Sequence, residues 1–383
     1  MKRIGLLITS LTGGGAERMV MNFHGVFTRM GHEAHIILVK NEVFHGAEGI
    51  PADQLHVLSE TGDLHANKAI SKRLLARRLR QTVREIEADG RRFDFHISNS
   101  EDSDRLARIA GLDRVLIRYR NSMSEYIRGK VAGKPAWKRW LHRLQWTWKF
   151  RAIYDGAHIV TVSQAMQHDI VDVIGVKPAS LTTIYNPYPF AWLRAQAGKP
   201  APLPDGPYIV YAAKFENRKR HDVLVRAFHA SGVPHSLVLI GDVYTDADRA
   251  NFARLQALVD ELGLRERVIF PGFQKNPYPW LKHADLFALS SDSEGLPVVL
   301  VEALILGTPA VSTDCPTGPR EVLIGEHARF LSPTGDWRAL GDNIRAALVE
   351  GYPPISGELI ERFDDEFAAG RYLALAQRLF ETR

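Results

Sequence analysis

The chain has 383 residues, 45% of them hydrophobic and 24% charged, with a net charge of +5. That balance excludes a disordered or fibrous protein and leaves room for two globular domains of ordinary size. A single cysteine, Cys315, excludes a disulfide framework and points to a reducing compartment, and no apolar run approaches the ~18 residues of a transmembrane helix.

Met1-Lys-Arg3 followed by Ile4 to Leu11 imitates a signal peptide, but the run is short and contains Thr9 and Ser10. It also leads into Gly13-Gly14-Gly15 without a cleavage region, so it reads as a buried first strand, Ile4–Thr9, and its loop. A helix follows from about Ala16 to Met30, stopped by Gly31, and then a strand over Ala34–Val39. The glycine turn lacks the full dinucleotide fingerprint, and no suitable acidic residue follows the second strand, which argues against NAD.

Between Lys68 and Arg92, nine basic residues face Glu85, Glu87 and Asp89, while Ile70, Leu74, Leu79, Val83 and Ile86 recur at helical spacing. The second basic stretch, Lys134–Arg151, interleaves four tryptophans with cations. Residues 1–190 hold 28 Lys+Arg against 19 Asp+Glu, and the remainder 21 against 25. Cations beside Trp suit an anionic membrane surface; the alternative is that the apolar stripes pack on their own sheet and the charges are only solvated. No nucleic-acid module accompanies these charges, so no nucleic-acid partner is expected.

Strands at Phe93–Ser98, Val115–Arg118 and His158–Val162 continue the first half. A Pro/Gly-rich boundary, Asn186-Pro-Tyr-Pro189 and Gly198–Pro207, reads as a linker. The second half restarts with Tyr208–Ala213, then Ser236–Ile240, Val268–Pro271, Leu286–Leu289 and Ala310–Ser312, with helices between most of them. Such alternation gives one helix-covered parallel sheet per half. A last amphipathic segment, Phe363–Phe380, carries Phe367, Tyr372, Leu375 and Leu379.

The chemistry gathers at the ends of second-half strands. Leu286–Leu289 runs into Ser290-Ser-Asp-Ser-Glu-Gly-Leu-Pro297, and a helix opening near Pro297 runs to Gly307. A helix start of this kind offers free N–H groups and a positive dipole end to a phosphate. Glu294 lies in the turn. Glu302 interrupts the apolar run Val298–Leu306, where a carboxylate is costly unless something satisfies it. Lys214 and Lys219 follow the Tyr208–Ala213 strand and would offset a diphosphate's charge. Gly241, ending the next strand, would let a ligand approach the backbone closely. Gly272-Phe273-Gln274 would present its backbone to a nucleobase edge, and Asp314–Glu321 forms a tight turn near the same place.

Together Gly14-Gly-Ala-Glu-Arg18, Val162-Ser163, Asn186-Pro187, Lys214-x4-Lys219, Gly272, Ser293-Glu-Gly-Leu-Pro297 with Glu302-Ala303, and Asp314–Glu321 resemble the retaining glycosyltransferases of family 4. The resemblance implies the α/β GT-B fold: two Rossmann-like parallel-sheet domains facing across a cleft. Residues 1–188 plus 364–383 would bind the acceptor, and 189–363 the nucleotide sugar. Glu302 would accept from the donor ribose, and Glu294 from hydroxyls of the transferred sugar near Gly295 and Leu296. The donor set is completed by Gly14, Gly15, Lys214, Lys219, Gly241, Gly272 and Phe273. Glu294, Lys214 and Lys219 are the catalytic candidates. The resemblance also implies transfer from a UDP-sugar to a lipopolysaccharide core, capsule or lipid-linked intermediate, with no metal, no further cofactor and no protein nucleophile. The enzyme would sit on the cytoplasmic side of the membrane. Lys214 stands where many relatives carry Arg, and Arg120, beside Asn121, where many carry His; both 120 and 121 are acceptor-site candidates. The rival readings are a UDP-sugar 2-epimerase of the same fold and a non-catalytic nucleotide-sugar-binding membrane module.

Overall fold

In a computed structural model, described for residues 1–12, 15–43, 49–131, 133 and 135–381, the chain divides into two units, Met1–Tyr188 with Phe363–Arg383, and Pro189–Arg362. The first holds a seven-stranded sheet of β1 (Arg3–Ile8), β2 (Glu33–Leu38), β3 (Leu55–Val57), β4 (Phe95–Ser98), β5 (Val115–Tyr119), β6 (His158–Thr161) and β7 (Ser180–Thr183). Their order is β3-β2-β1-β4-β5-β6-β7 and every pairing is parallel. The sequence pattern contains no sign of β3 and β7. Both are short, half-buried edge strands, so neither carries the apolar run of a central parallel strand.

Alternate residues of each central strand feed opposite cores. Leu6, Ile8, Ile36 and Ile97 meet α1 (Gly15–Arg29) on one face, and Leu7 and Ile37 meet α2 (Lys68–Ile86) and α3 (Glu101–Ala110) on the other. On that second face Ile117 and Ile159 meet α4 (Met123–Val131) and α5 (Ala136–Tyr154). The buried side of α2 is Ser71, Leu75, Ala76, Leu79 and Thr82, so the expected stripe is turned: Leu79 stays in, but Ile70 faces solvent. Buried Asp169 anchors the start of α4 by accepting from the Met123 N–H (2.9 Å), the Ser122 hydroxyl (2.8 Å) and Tyr119.

The second unit holds β8 (Tyr208–Ala212), β9 (Ser236–Ile240), β10 (Val268–Gly272), β11 (Leu286–Leu289), β12 (Ala310–Thr313) and β13 (Leu331–Ser332), ordered β10-β9-β8-β11-β12-β13 and all parallel. Its helices include α6 (His221–Ser231), α7 (Tyr278–Lys282) and α8 (Val298–Ile305). The two-residue β13 was not legible in the sequence. In each sheet the strand order reverses once, between β1 and β4 and between β8 and β11. The loops leaving those strands part there and open the crevice in which ligands of such sheets bind.

Helix α9 (Asp365–Phe380) belongs to the first unit, where Tyr372 meets Phe23 edge-on at 5.0 Å and Leu375 is buried; Phe367, expected on the apolar face, is exposed. Replacing Tyr372 by Ala empties a fully buried aromatic site and is expected to cost about 3–5 kcal/mol. Urea unfolding would read this as a lower midpoint; an unchanged midpoint would mean that α9 adds nothing to the first core.

Candidate active site

The two loops at the second sheet's reversal point are laced together. Strand β8 runs into Ala213–Arg220, and β11 into Ser290–Pro297. The Lys219 carbonyl accepts from the Ser290 hydroxyl at 2.9 Å, and the Arg218 carbonyl from the Asp292 N–H at 2.9 Å. Arg220 holds both Asp292 carboxylate oxygens at 3.1 Å. It does so at φ +47°, a left-handed backbone that a non-glycine residue adopts at a cost of about 1–3 kcal/mol when its surroundings fix it. Tyr211, buried on β8, shares a hydrogen bond with Ser291 across the seam at 2.9 Å.

Glu294 sits at the centre of this lacing with its side chain 9% exposed. Its Oε1 accepts from Lys219 Nζ and from the Ser291 hydroxyl, both at 2.6 Å, and its Oε2 from Arg218 at 3.4 Å. Burial opposes the negative charge, but the Lys219 ammonium and the Arg218 guanidinium outweigh it and hold the carboxyl below its ordinary range. Glu294 is therefore ionised at neutral pH and has no proton to donate. Beside it, His221 packs against Tyr211 and Phe215; burial pushes its pKa down to about 3, so it is a neutral core aromatic. Burial and the Glu294 charge push the Cys315 thiol up to about 12, which leaves it unreactive.

Glu302, the fifth residue of α8, is 2% exposed and accepts from the Tyr278 hydroxyl of α7 at 3.2 Å. Helix α8 opens at Val298, one residue later than expected, and Leu296 and Pro297 before it are buried. Gly295 and Leu296 are backed by the Asp314–Glu321 turn. A Cβ on Gly318, at φ +99°, would lie 2.6 Å from Pro297 Cδ and 3.1 Å from the Gly295 carbonyl, so only glycine lets that turn lie so close.

Not every expected residue joins this cluster. Lys214 does not share Lys219's carboxylate; its Nζ lies over the Tyr244 ring, 4.7 Å from the centroid. Gly241 is needed for a different reason than expected: a Cβ there would come within 2.1 Å of the Ala213 carbonyl oxygen, so the close approach is by the protein's own backbone. Its N–H is taken by the Gly272 carbonyl at 3.2 Å, and Phe273 beyond is exposed. Arg218, Ser291 and Tyr278 were not nominated from sequence. The first two lie beside the nominated Lys219 and Glu294, and a buried carboxylate's need for donors was a signal left unused.

In the first unit the reversal point joins Thr9 and Ser100 through their hydroxyls at 2.8 Å. Gly15 opens α1 there, while Gly14 lies outside the described residues. Arg120, just past β5, donates from Nε to the Asn99 carbonyl at 2.9 Å, and burial pulls its pKa down; Asn121 is exposed. Buried Arg118, unnoticed in the sequence, bonds the amide oxygens of Asn99 and Asn186, and burial brings its pKa down to about 10.

Because its folded-state pKa is depressed, Glu294 contributes stability that is full above the unfolded carboxyl value of about 4.3 and is lost as pH falls through the folded value. In Lys219→Met the strongest opposing charge is gone, and the Glu294 carboxyl is expected to titrate at higher pH than in the wild type. Carboxyl carbon NMR titration would measure this; an unmoved midpoint would mean that Lys219 does not set the charge of the site.

Comparison with known proteins follows the same division. Residues 13–191 match the family model described as Glycosyltransferase Family 4, and residues 195–363 match Glycosyl transferases group 1. Among relatives, the chain is 26% identical over 355 residues, 91% of each chain, to the N-acetylgalactosamine-N,N'-diacetylbacillosaminyl-diphospho-undecaprenol 4-alpha-N-acetylgalactosaminyltransferase of Campylobacter jejuni. It is 31% identical over 156 residues, 39% of this chain and 41% of the relative, to the lipopolysaccharide 1,6-galactosyltransferase of Salmonella typhimurium. Among solved structures, Anabaena HepE in complex with UDP and glucose superposes with a TM-score of 0.72 at 18% identity, covering 99% of this chain and 100% of that one. The apo lipopolysaccharide outer core galactosyltransferase WaaB gives 0.69 at 19% identity, with the same coverage. With both halves matched in turn and both sheets of the expected kind, the chain belongs to the glycosyltransferases of family 4 and has their GT-B fold.

Proposed function

We propose that this glycosyltransferase moves a hexose or N-acetylhexosamine, with retention, from a UDP-sugar to a membrane-associated glycan or glycolipid. The observation that carries this reading is the paired-carboxylate site: an ionised Glu294 clamped by cations in the turn, and a buried Glu302 on the helix behind it. In this reading Glu302 holds the ribose and Glu294 the sugar hydroxyls. The Lys219 ammonium has three donors, only one of which Glu294 Oε1 occupies, so the others can meet the diphosphate as charge develops on it. Lys214 and the N–H groups at Gly295 and Leu296 add to that positive field, which does the work of a metal in other transferases. Arg120 and Asn121 are proposed to meet the acceptor. Retention would proceed on one face of the sugar, with the departing phosphate oxygen taking the acceptor proton. A carboxylate held below its ordinary pKa suits binding rather than acid catalysis.

Relatives named for undecaprenol-linked and lipopolysaccharide acceptors, and UDP complexes among structures of the same fold, support the donor and acceptor classes. No helix among the described residues is long and apolar enough to cross a membrane. We propose a peripheral position on the cytoplasmic face, with the basic segments Lys68–Arg92 and Lys134–Arg151 towards anionic lipid.

The test is a panel of UDP-, GDP- and ADP-sugars with membrane glycolipid extract, with and without EDTA. UDP release that requires acceptor, yields a glycosylated product and survives EDTA is the expected result. Conversion of free UDP-sugar without acceptor would favour an epimerase, and binding without turnover a non-catalytic module. Glu302→Gln, which keeps the side-chain shape, is expected to weaken UDP-sugar binding about 10–100-fold, the worth of charge-assisted hydrogen bonds. Unchanged donor affinity by calorimetry would remove Glu302 from the ribose.

A further inference from the structure

Helix α5 has two apolar faces. At about 100° per residue, Trp146, Phe150 and Ile153 share the inner side, where Tyr126 meets Trp146 edge-on at 5.1 Å and the rest join the core. On the opposite side, Trp137, Trp140, Leu141, Leu144 and Trp148 fall within an arc about 100° wide. All five point to solvent, each between 49% and 72% exposed. An arc of that width is what a helix normally buries. Residues 136–154 also carry Lys138, Arg139, Arg143, Lys149 and Arg151 and no Asp or Glu.

We propose that this outer face of α5 inserts into the headgroup–acyl boundary of an anionic bilayer, the helix lying in the membrane plane. Two observations select this occupant. Trp and Leu on one face of a helix whose own charges are all cations, Arg151 being paired with Asp155 at its C-terminal end, match the apolar interior and anionic surface of such a membrane together. A second copy of the chain would instead set five cations against five of the same sign. The helix is about 28 Å long, so a single face presents three indoles to the depth at which Trp concentrates.

The two basic segments then act differently. Outward-facing Arg73, Arg77, Arg80 and Arg84 of α2 have only Ile70 as an exposed large apolar neighbour on that helix. Their attraction is electrostatic and screened beyond about 8 Å at physiological salt. The α5 contribution is apolar and survives salt. The inference gives the membrane-associated acceptor of the proposed function a docking face and rests on that reading only for its purpose.

The test uses the full-length protein without donor or acceptor, so its failure and that of the transfer reaction are separately readable. Vesicles of phosphatidylglycerol and phosphatidylethanolamine, with and without brominated acyl chains, are sedimented at low and high salt. Wild type is expected to stay partly bound at high salt, with blue-shifted tryptophan emission quenched by bromine. The variant Trp140→Gln/Leu144→Gln/Trp148→Gln, made at exposed positions and checked for an unchanged Tm, is expected to lose about tenfold or more of its partitioning, and with it the quenching. Arg73→Gln/Arg77→Gln/Arg80→Gln is expected to bind less at low salt while its bound fraction remains quenched. Equal partitioning and quenching of the α5 variant and wild type would overturn the proposal. So would a lipid-free dimer that the α5 substitutions dissolve, since the face would then belong to a second copy.

Discussion

A carboxylate placed below the surface must be given positive charge and hydrogen bonds, or it will not stay ionised. Glu294 meets that demand with donors from two loops distant in sequence, and the rest of the second unit is arranged so that they meet. The parallel pairing of β8 with β11 sets the loops side by side, and the order of the other strands leaves the space above them open. Arg220 with Asp292, and Ser290 with the Lys219 carbonyl, then fix the distance. Breaking such a pair costs more than forming it contributes, so its value lies in geometry: Lys219 is positioned before any ligand arrives.

The first unit repeats the sheet logic with other chemistry. At its reversal point the contacts are hydroxyls and amides, and the guanidiniums of Arg118 and Arg120 rest on the oxygens of Asn99 and Asn186. Amide oxygens satisfy a guanidinium's hydrogen bonds without cancelling its charge, whereas in the second unit Lys219 and Arg218 meet the carboxylate of Glu294. The reversal points of two similar parallel sheets thus present different environments.

Much of this was legible in the sequence because buried parallel strands write themselves as apolar runs, and strand–turn–helix junctions write themselves in Gly, Ser and Pro. The strands that escaped, β3, β7 and β13, are edge strands of two to four residues, each containing at least one polar residue, so no apolar run forms. The spacing of Glu294 and Glu302 and the candidacy of Lys219 were visible; the pairing was not, since Lys219, Arg218 and Tyr278 reach the carboxylates only through tertiary packing. Helix α5 was half legible. Its cations and tryptophans were plain, but two apolar faces on one helix blur its periodicity, and only packing shows which face is spoken for.

That doubled helix has a consequence for the protein as a colloid. In lipid-free solution the outer indoles of α5 are an adhesive surface, and mutual repulsion among the surrounding cations is what keeps molecules apart. Salt, which ordinarily helps a basic protein stay dispersed from nucleic acid, shortens that repulsion to a few ångströms at molar concentration and leaves the adhesive surface intact. In the docking proposed above, low salt therefore both keeps the molecules apart in water and draws the same helix towards an anionic bilayer. High salt leaves only the apolar contact, which serves self-association and insertion alike.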